Sequence, residues 1–376
     1  MRSFASDNNS GVHPLVMEAL NRANIDHSLG YGDDKWTEEA VEKIKETFTP
    51  NCVPLFVFNG TGSNVVALQL MTRPYHSIFC AETAHIYVDE CGSPVKMTGC
   101  QIRPIATPDG KLTPELMQPY LHGFGDQHHS QPRALYISQC TELGTIYTPE
   151  ELKRLTDFAH LNGMYVHMDG ARIANACAAL NLSLKELTVD CGVDILSFGG
   201  TKNGLMMGEC VIVFNKDLQP EARFIRKQSA QLASKMRYLS CQFTAYLTDD
   251  LWLKNASHAN AMAAKLRAEL EKLPEVTFTQ KAESNQLFLI LPRPVIDPHH
   301  SNCLGVNSNS TLTVFPAGIC TRLKARSVLA GPSVSSCFFR YTCTTSSPSR
   351  LPVLVTGITI LAVSPTLIVC SSLMLS

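Results

Sequence analysis

An α/β fold with a mostly parallel sheet is predicted by three features of this 376-residue chain. Short apolar runs of strand length alternate with segments of helical period, strong helix-start signals lie between them, and glycine-rich turns follow the apolar runs. Strands buried on both faces and separated by helices are the pattern of a parallel sheet covered on each side. Such sheets bind ligands at the carboxyl ends of their strands, so chemistry is to be sought there.

The strands are expected at 55–58, 77–80, 134–137, 164–168, 194–198 and 210–214, and an apolar helix is expected to follow the first of them. Thr113-Pro114-Glu115 opens a helix. Thr148, Pro149 and Glu151 supply an N-cap, a proline at the first helical position and a capping-box glutamate, and Leu152, Leu155 and Ala159 share one face, which predicts a helix over 149–162. Ala259, Met262, Leu266, Leu270 and Leu273 form a last helical stripe, ended by Pro274.

Composition narrows the function. With 45% hydrophobic and 17% charged residues the chain is not a disordered tail protein. Lys plus Arg is 32 against 33 for Asp plus Glu, with no dense basic block, so nucleic acid is not expected as the main partner. None of the nine cysteines from Cys52 to Cys241 forms C-x-x-C, which disfavours a zinc ribbon or a disulfide scaffold. The opening MRSFASDNNSGVHPL lacks the apolar run of a secretory signal, so reduced thiols in a cytoplasm are expected. His122, His128, His129 and Asp126 sit among Gly123, Gly125, Ser130 and Pro132, which reads as a solvated loop, and no metal is expected.

Three strand ends carry candidate chemistry. The first is Asn59-Gly60-Thr61-Gly62-Ser63-Asn64, where glycine N–H groups and hydroxyls at a helix start suit a phosphate; alone, such a segment is usually a plain turn. It matches neither the dinucleotide fingerprint nor the Walker loop. The second places Asp169 and Arg172 just past a buried strand. The third, 33 residues after Asp169, sets Lys202 on the turn Gly199-Gly200-Thr201-Lys202-Asn203-Gly204, where partial burial frees an amine for imine formation. Taken singly, Asp169 also suits a helix N-cap and Lys202 a surface loop. In the order phosphate cup, acid, lysine, they describe an electron-sink site in which an aspartate holds a pyridine nitrogen protonated.

These residues resemble pyridoxal-phosphate enzymes of the aspartate aminotransferase fold, and within them the low-specificity L-threonine aldolases. The resemblance is carried by FASDNNSGVHP at 4–14, YGDDKWT at 31–37, FNGTGSN at 58–64, ETAHIYVDECGSP at 82–94, HMDGARIANACA at 167–178, SFGGTKNG at 197–204 and QLASKMR at 231–237. It implies pyridoxal 5'-phosphate as cofactor, with Lys202 as Schiff-base lysine, Asp169 as partner of the pyridinium nitrogen and His85 stacked on the ring. Gly60, Thr61 and Gly62 then form the phosphate loop, joined by Arg237. Ser6 and Arg172 resemble ligands of the substrate carboxylate, and Tyr31 resembles a residue entering from a neighbouring subunit, which implies a homodimer or homotetramer. Glu142 stands where some relatives carry a histidine near the substrate hydroxyl. The implied reaction is aldol cleavage of threonine, allo-threonine and related β-hydroxy-α-amino acids to glycine and an aldehyde, with His85, or a water it orients, as base. Transamination or β-elimination uses the same sink, and a non-catalytic product is the third reading.

That third reading comes from the tail. Up to Asp297 there are 27 basic and 33 acidic residues, a net of −6, whereas residues 298–376 hold no acid, fourteen serines and five cysteines. The domains are therefore expected as 1–250, the large cofactor-binding domain with its N-terminal segment; 251–297, the start of a small C-terminal α/β domain whose first strand material is 286–292; and 298–376, a segment that reads as translation in a shifted frame. Residues 351–376, uncharged but broken by Pro352, Gly357 and Pro365, are not expected to anchor in a membrane. Without the family's late arginine, weaker turnover and a tendency to aggregate are expected.

Overall fold

The computed structural model describes residues 6–291 and the backbone of five further strands, Thr311–Val314, Thr321–Ala325, Ser336–Tyr341, Ile358–Val363 and Thr366–Ser372. The chain divides into two units, Val12–Lys254 and Met1–Gly11 with Asn255–Ser376. The remaining residues of the tail, and with them most of the segment read as translated in a shifted frame and half of the stretch weighed as a membrane anchor, lie outside the described residues. Among the described residues no helix is long and apolar enough to cross a membrane.

The first unit is built on a seven-stranded sheet. Its strands are β1 Val53–Val57, β2 His76–Ala81, β3 Gln101–Ile105, β4 Gln131–Ser138, β5 Tyr165–Gly170, β6 Ile195–Gly199 and β7 Glu209–Val213, in the spatial order β1-β7-β6-β5-β4-β2-β3. β7 runs antiparallel to both neighbours and all other pairings from β6 to β3 are parallel. All six expected strands are present. β3 was not expected, because Arg103 and Pro104 interrupt its apolar pattern; it tolerates both as an edge strand paired only with β2.

The helices are α1 Pro14–Ala23, α2 Lys35–Thr47, α3 Gly60–Met71, α4 His85–Val88, α5 Ser93–Thr98, α6 Pro114–Met117, α7 Pro149–Leu161, α8 Ile173–Leu180, α9 Ala222–Gln228, α10 Arg237–Leu247 and α11 Leu251–Leu270. α3 is apolar around most of its circumference and is buried, with Val66, Leu68 and Met71 packed in one core with Val57, Ile78 and Tyr136 from the sheet. α7 forms as its capping box demands: Glu151 N donates to Thr148 Oγ1 and Thr148 N to Glu151 Oε2. α6 starts at Pro114 under the Thr113 cap but lasts a single turn.

One close approach fixes the route of the chain after β6. A Cβ on Gly199 would lie 2.6 Å from Ala171 Cα and 2.7 Å from Ala171 O, backbone atoms that cannot swing aside. Gly199→Ala is therefore expected to cost about 1–3 kcal/mol of stability through overpacking. A lowered thermal midpoint in a melt of the variant is the check, and an unchanged midpoint would mean that the turn has room to shift.

In the second unit Ser6 caps the short 3-10 helix Asp7–Asn9, its Oγ accepting from Asn8 N. α11 runs through the boundary between the units. Its fully buried positions are Ala256, Ala259 and Ala263, so of the expected stripe Ala259 lies on the buried face, while Met262, Leu266 and Leu270 are only half-buried on its flank. β8 Thr277–Phe278 and β9 Gln286–Leu291 join the five later strands, numbered β10–β14 in the order given above, in an antiparallel sheet ordered β10-β11-β12-β13-β14-β9-β8.

Candidate active site

The carboxyl ends of β1, β2, β4, β5 and β6 bring one set of polar side chains together. At the end of β1, Asn59 caps α3 and its Oδ1 accepts from Gly62 N at 2.8 Å. Gly60 and Thr61 lead the first turn, where no intrahelical carbonyl faces their N–H groups. A Cβ on Gly60 would meet nothing within 4 Å, so the cup opens outward there. On its other flank lies Gln231: a Cβ on Gly62 would fall 2.4 Å from its amide, and its Oε1 accepts from Phe58 N at 3.0 Å. Only glycine at 62 lets this side chain approach.

Asp169 ends β5 and is 9% exposed. Its Oδ2 accepts from Tyr136 OH at 2.7 Å and from Asn64 Nδ2 at 3.0 Å, and its Oδ1 accepts from Ala171 N at 2.9 Å. Burial, the largest influence, acts to raise its pKa, but the hydrogen bonds from Tyr136 and Asn64 and the charges of His85 and Lys202 outweigh it and hold the carboxyl below its ordinary value. Asp169 is thus a buried, ionised carboxylate. The N-cap position of α8 is Arg172 instead, half-buried three residues on.

Asn64 joins this carboxylate to a second one. Its Nδ2 also donates to Glu90 Oε1 at 2.8 Å. Its Oδ1 accepts from Ser197 Oγ at 3.1 Å, and Ser197 in turn accepts from Ser63 and lies 2.9 Å from His167 Nε2. That buried serine–histidine layer fixes which end of the amide faces the carboxylates. Burial drops the His167 pKa to about 4, so the imidazole stays neutral and acts as part of the scaffold.

His85 opens α4. Its Nδ1 lies 2.8 Å from Glu90 Oε1, and its backbone N donates to Glu142 Oε1 at 2.7 Å, which also accepts from Ser138 Oγ. The Glu90 hydrogen bond is the main cause of a raised His85 pKa; burial and the Lys202 charge oppose it, and the charges of Asp169 and Glu90 add to it. Glu142, which burial pushes upward, therefore serves as the anchor of the His85 backbone.

Lys202 sits half-buried in the 3-10 turn Thr201–Asn203 that follows β6. The turn is pinned on both sides. Gly200 N donates to Glu209 Oε2 at 2.8 Å, and Asn203 Nδ2 donates to Tyr246 OH at 2.6 Å and to Trp252 O at 2.8 Å. The lysine charge is felt at both Asp169 and His85, which places the three in one electrostatic group.

The other expected residues lie elsewhere. Arg237 opens α10 and donates from Nη1 to Asp26 O and from Nη2 to Tyr238 OH, both at 3.2 Å. Tyr31 is 54% exposed on a turn with left-handed backbone, φ 62°, its N–H donating to Ser234 O and its ring 5.4 Å from the Lys227 ammonium. Both belong to one surface patch joining residues 26–31 to 234–238. Ser6 is in the second unit. Around His122, His128 and His129, His128 N donates to Asp126 Oδ1 within the loop, and among the described residues no group of three or more His, Cys, Asp or Glu is disposed to hold a metal.

Asn64, Glu90, Tyr136 and Gln231 were not singled out from the sequence. Asn64 alone carried a local signal, a polar residue inside the apolar run of α3. The partners of Tyr136 and Gln231 are distant in the chain, whereas Glu90 meets His85 five residues before it.

Comparison with known proteins follows the same residues. The chain matches the beta-eliminating lyase family over residues 3–292. It is 42% identical over 297 residues to the low specificity L-threonine aldolase of Pseudomonas aeruginosa, an alignment spanning 79% of this chain and 86% of that one. Its likeness to the enzyme of the same name from Saccharomyces cerevisiae is 28% over 288 residues, 75% of this chain and 72% of that one. Among solved structures, threonine aldolase from Leishmania major superposes with a TM-score of 0.76 at 30% identity, covering 93% of this chain and 95% of that one. Thermus thermophilus aspartate aminotransferase, 13% identical with a TM-score of 0.60 over 77% of each chain, shares the fold.

Proposed function

We propose, for a chain that belongs to the beta-eliminating lyase family and within it to the low-specificity L-threonine aldolases, the following roles for its site residues. The protein is a lyase that cleaves threonine with pyridoxal phosphate, and the same site accepts allo-threonine and related β-hydroxy-α-amino acids. One observation carries the assignment of roles: a buried aspartate held ionised, tied through Asn64 to the Glu90–His85 pair, lies in one electrostatic group with a lysine on a pinned turn.

The residues fit the cofactor. The open face at Gly60, on the N-terminus of a twelve-residue helix, suits its phosphate, with Thr61 and Gly62 completing the cup. Asp169 suits a cationic ring nitrogen, because a carboxylate already ionised without exposure to water needs no reorganisation to hold positive charge. When bound, pyridoxal phosphate supplies the electron sink for the Cα–Cβ bond that breaks.

The chain's own residues do the rest. Lys202 provides the amine that holds the cofactor. Arg172 grips the substrate carboxylate and so fixes the rotation about Cα. His85 takes the proton of the β-hydroxyl, with its Nδ1 bonded to Glu90 and its Nε2 left to face the substrate. Because the His85 pKa is raised, the neutral base is populated only above the ordinary imidazole value, so kcat is expected to rise with pH through that titration. A rate that falls over that range would remove His85 as base. The exposed Tyr31 and the half-buried Arg237, on one patch, serve the site of a second copy in a homo-oligomer. The nine cysteines among the described residues are thiols rather than disulfides, which fits a reducing cytoplasm.

Product analysis tests the reaction. Glycine and acetaldehyde in equal amounts from threonine are expected. Pyruvate from serine, or a keto acid from transamination, in their place would overturn it.

A further inference from the structure

We propose that Glu209 is a positioning residue for Lys202: its buried carboxyl ties down the turn that presents the lysine and sets the charge against which the lysine amine is protonated. The proposal rests on the reading of Lys202 as the lysine that holds the cofactor, and adds to it a group that the reaction outlined above does not use.

Glu209 is the first residue of β7 and stands across from Gly199 at the end of β6 and from Val57 at the end of β1. It is 8% exposed and followed by the apolar run Cys210–Val213. An acid in such a place is costly unless its oxygens are used. One of them is: Oε2 accepts from Gly200 N at 2.8 Å, two residues before Lys202, while the Thr201 hydroxyl donates to Gly208 O at 3.3 Å and lies near enough to hold the carboxyl's pKa down. The turn is closely packed at this point, since a Cβ on Gly200 would fall 2.2 Å from Leu205 Cδ1.

The ionisable groups that face Glu209 are Lys202 on the turn, Asp169 on β5, Tyr246 on α10 and Cys210 on its own strand. Burial is the main influence and pushes the carboxyl up to about 7; Gly200 N–H, the Thr201 hydroxyl and the Lys202 charge pull it down, and Asp169 adds a little upward. Tyr246 and Cys210 are themselves pushed far up by burial and stay neutral. The sign follows. Below about 7 Glu209 is neutral, and above it the carboxylate sets a negative charge beside the turn of Lys202.

The test is a pH titration of the holoenzyme from 5.5 to 9, reading cofactor absorbance and, in parallel, kcat and KM. The parent is expected to show a one-proton step near neutrality in the absorbance. Glu209→Gln keeps the shape and an acceptor for Gly200 N–H and is expected to lose that step while still holding cofactor. Thr201→Val, which removes a hydroxyl that draws the carboxyl's pKa down, is expected to move the step to higher pH. A glutamine variant with the parent's profile overturns the proposal, and so does a valine variant whose step stays in place. A parent without cofactor absorbance would overturn it together with the reading of Lys202, whereas absorbance that is present with an unchanged glutamine profile overturns it alone.

Discussion

Lys202→Ala is expected to abolish threonine cleavage, lowering kcat by on the order of 10⁴–10⁶, as loss of a covalent nucleophile does elsewhere. The turn that carries the lysine does not depend on its side chain. Gly200 N is held by Glu209, and Asn203 by Tyr246 and Trp252, so the alanine variant keeps its fold. The phosphate cup at Gly60–Gly62 belongs to α3 and is untouched, so the variant is expected to bind pyridoxal phosphate with its free-aldehyde absorbance. Borohydride reduction, which fixes cofactor to the parent protein, is expected to leave the variant unlabelled. Acetaldehyde release at the parent's rate would remove Lys202 from the reaction and with it the assignment of the site.

The parts of this molecule that were legible in the sequence are those whose cause is local. An apolar run followed by a glycine turn identified β1, β5 and β6 and the residues just beyond them, because a strand buried on both faces needs apolar side chains at every position and a ligand-facing turn needs none. Thr148, Pro149 and Glu151 identified α7 because capping acts within four residues. The illegible parts depend on distance. Asn64 meets Asp169 across 105 positions and Glu90 across 26, and Gln231 reaches Phe58 N from 173 positions away. Glu209 falls just before the strand expected at 210–214, and only the pairing of β7 with β6 shows that it faces Gly200. β3 was missed for the converse reason: an edge strand is free to carry the arginine and proline that a central one excludes.

Asp169→Asn is expected to lower kcat by on the order of 10²–10³, the scale on which loss of one preorganised electrostatic contact is felt. The amide has nearly the same shape, so the loss is one of charge and of hydrogen-bond matching. Three donors converge on the carboxylate, Tyr136 OH, Asn64 Nδ2 and Ala171 N, and an amide turns one of its two acceptors into a donor. One of the three is left facing another donor inside the protein, at a cost of about 1–3 kcal/mol in stability. Burial keeps Tyr136 neutral, so it cannot supply the missing negative charge. The substitution also reaches His85, whose pKa the Asp169 charge helps to raise. With that charge gone the imidazole gives up its proton more readily, and the rise of kcat with pH is expected to move to lower pH than in the parent. The two effects separate the roles of Asp169. A large fall in rate with an unmoved pH profile would mean that Asp169 acts on the cofactor alone, and a shifted profile with a near-normal rate would mean that some other group balances the ring nitrogen while Asp169 merely tunes the base.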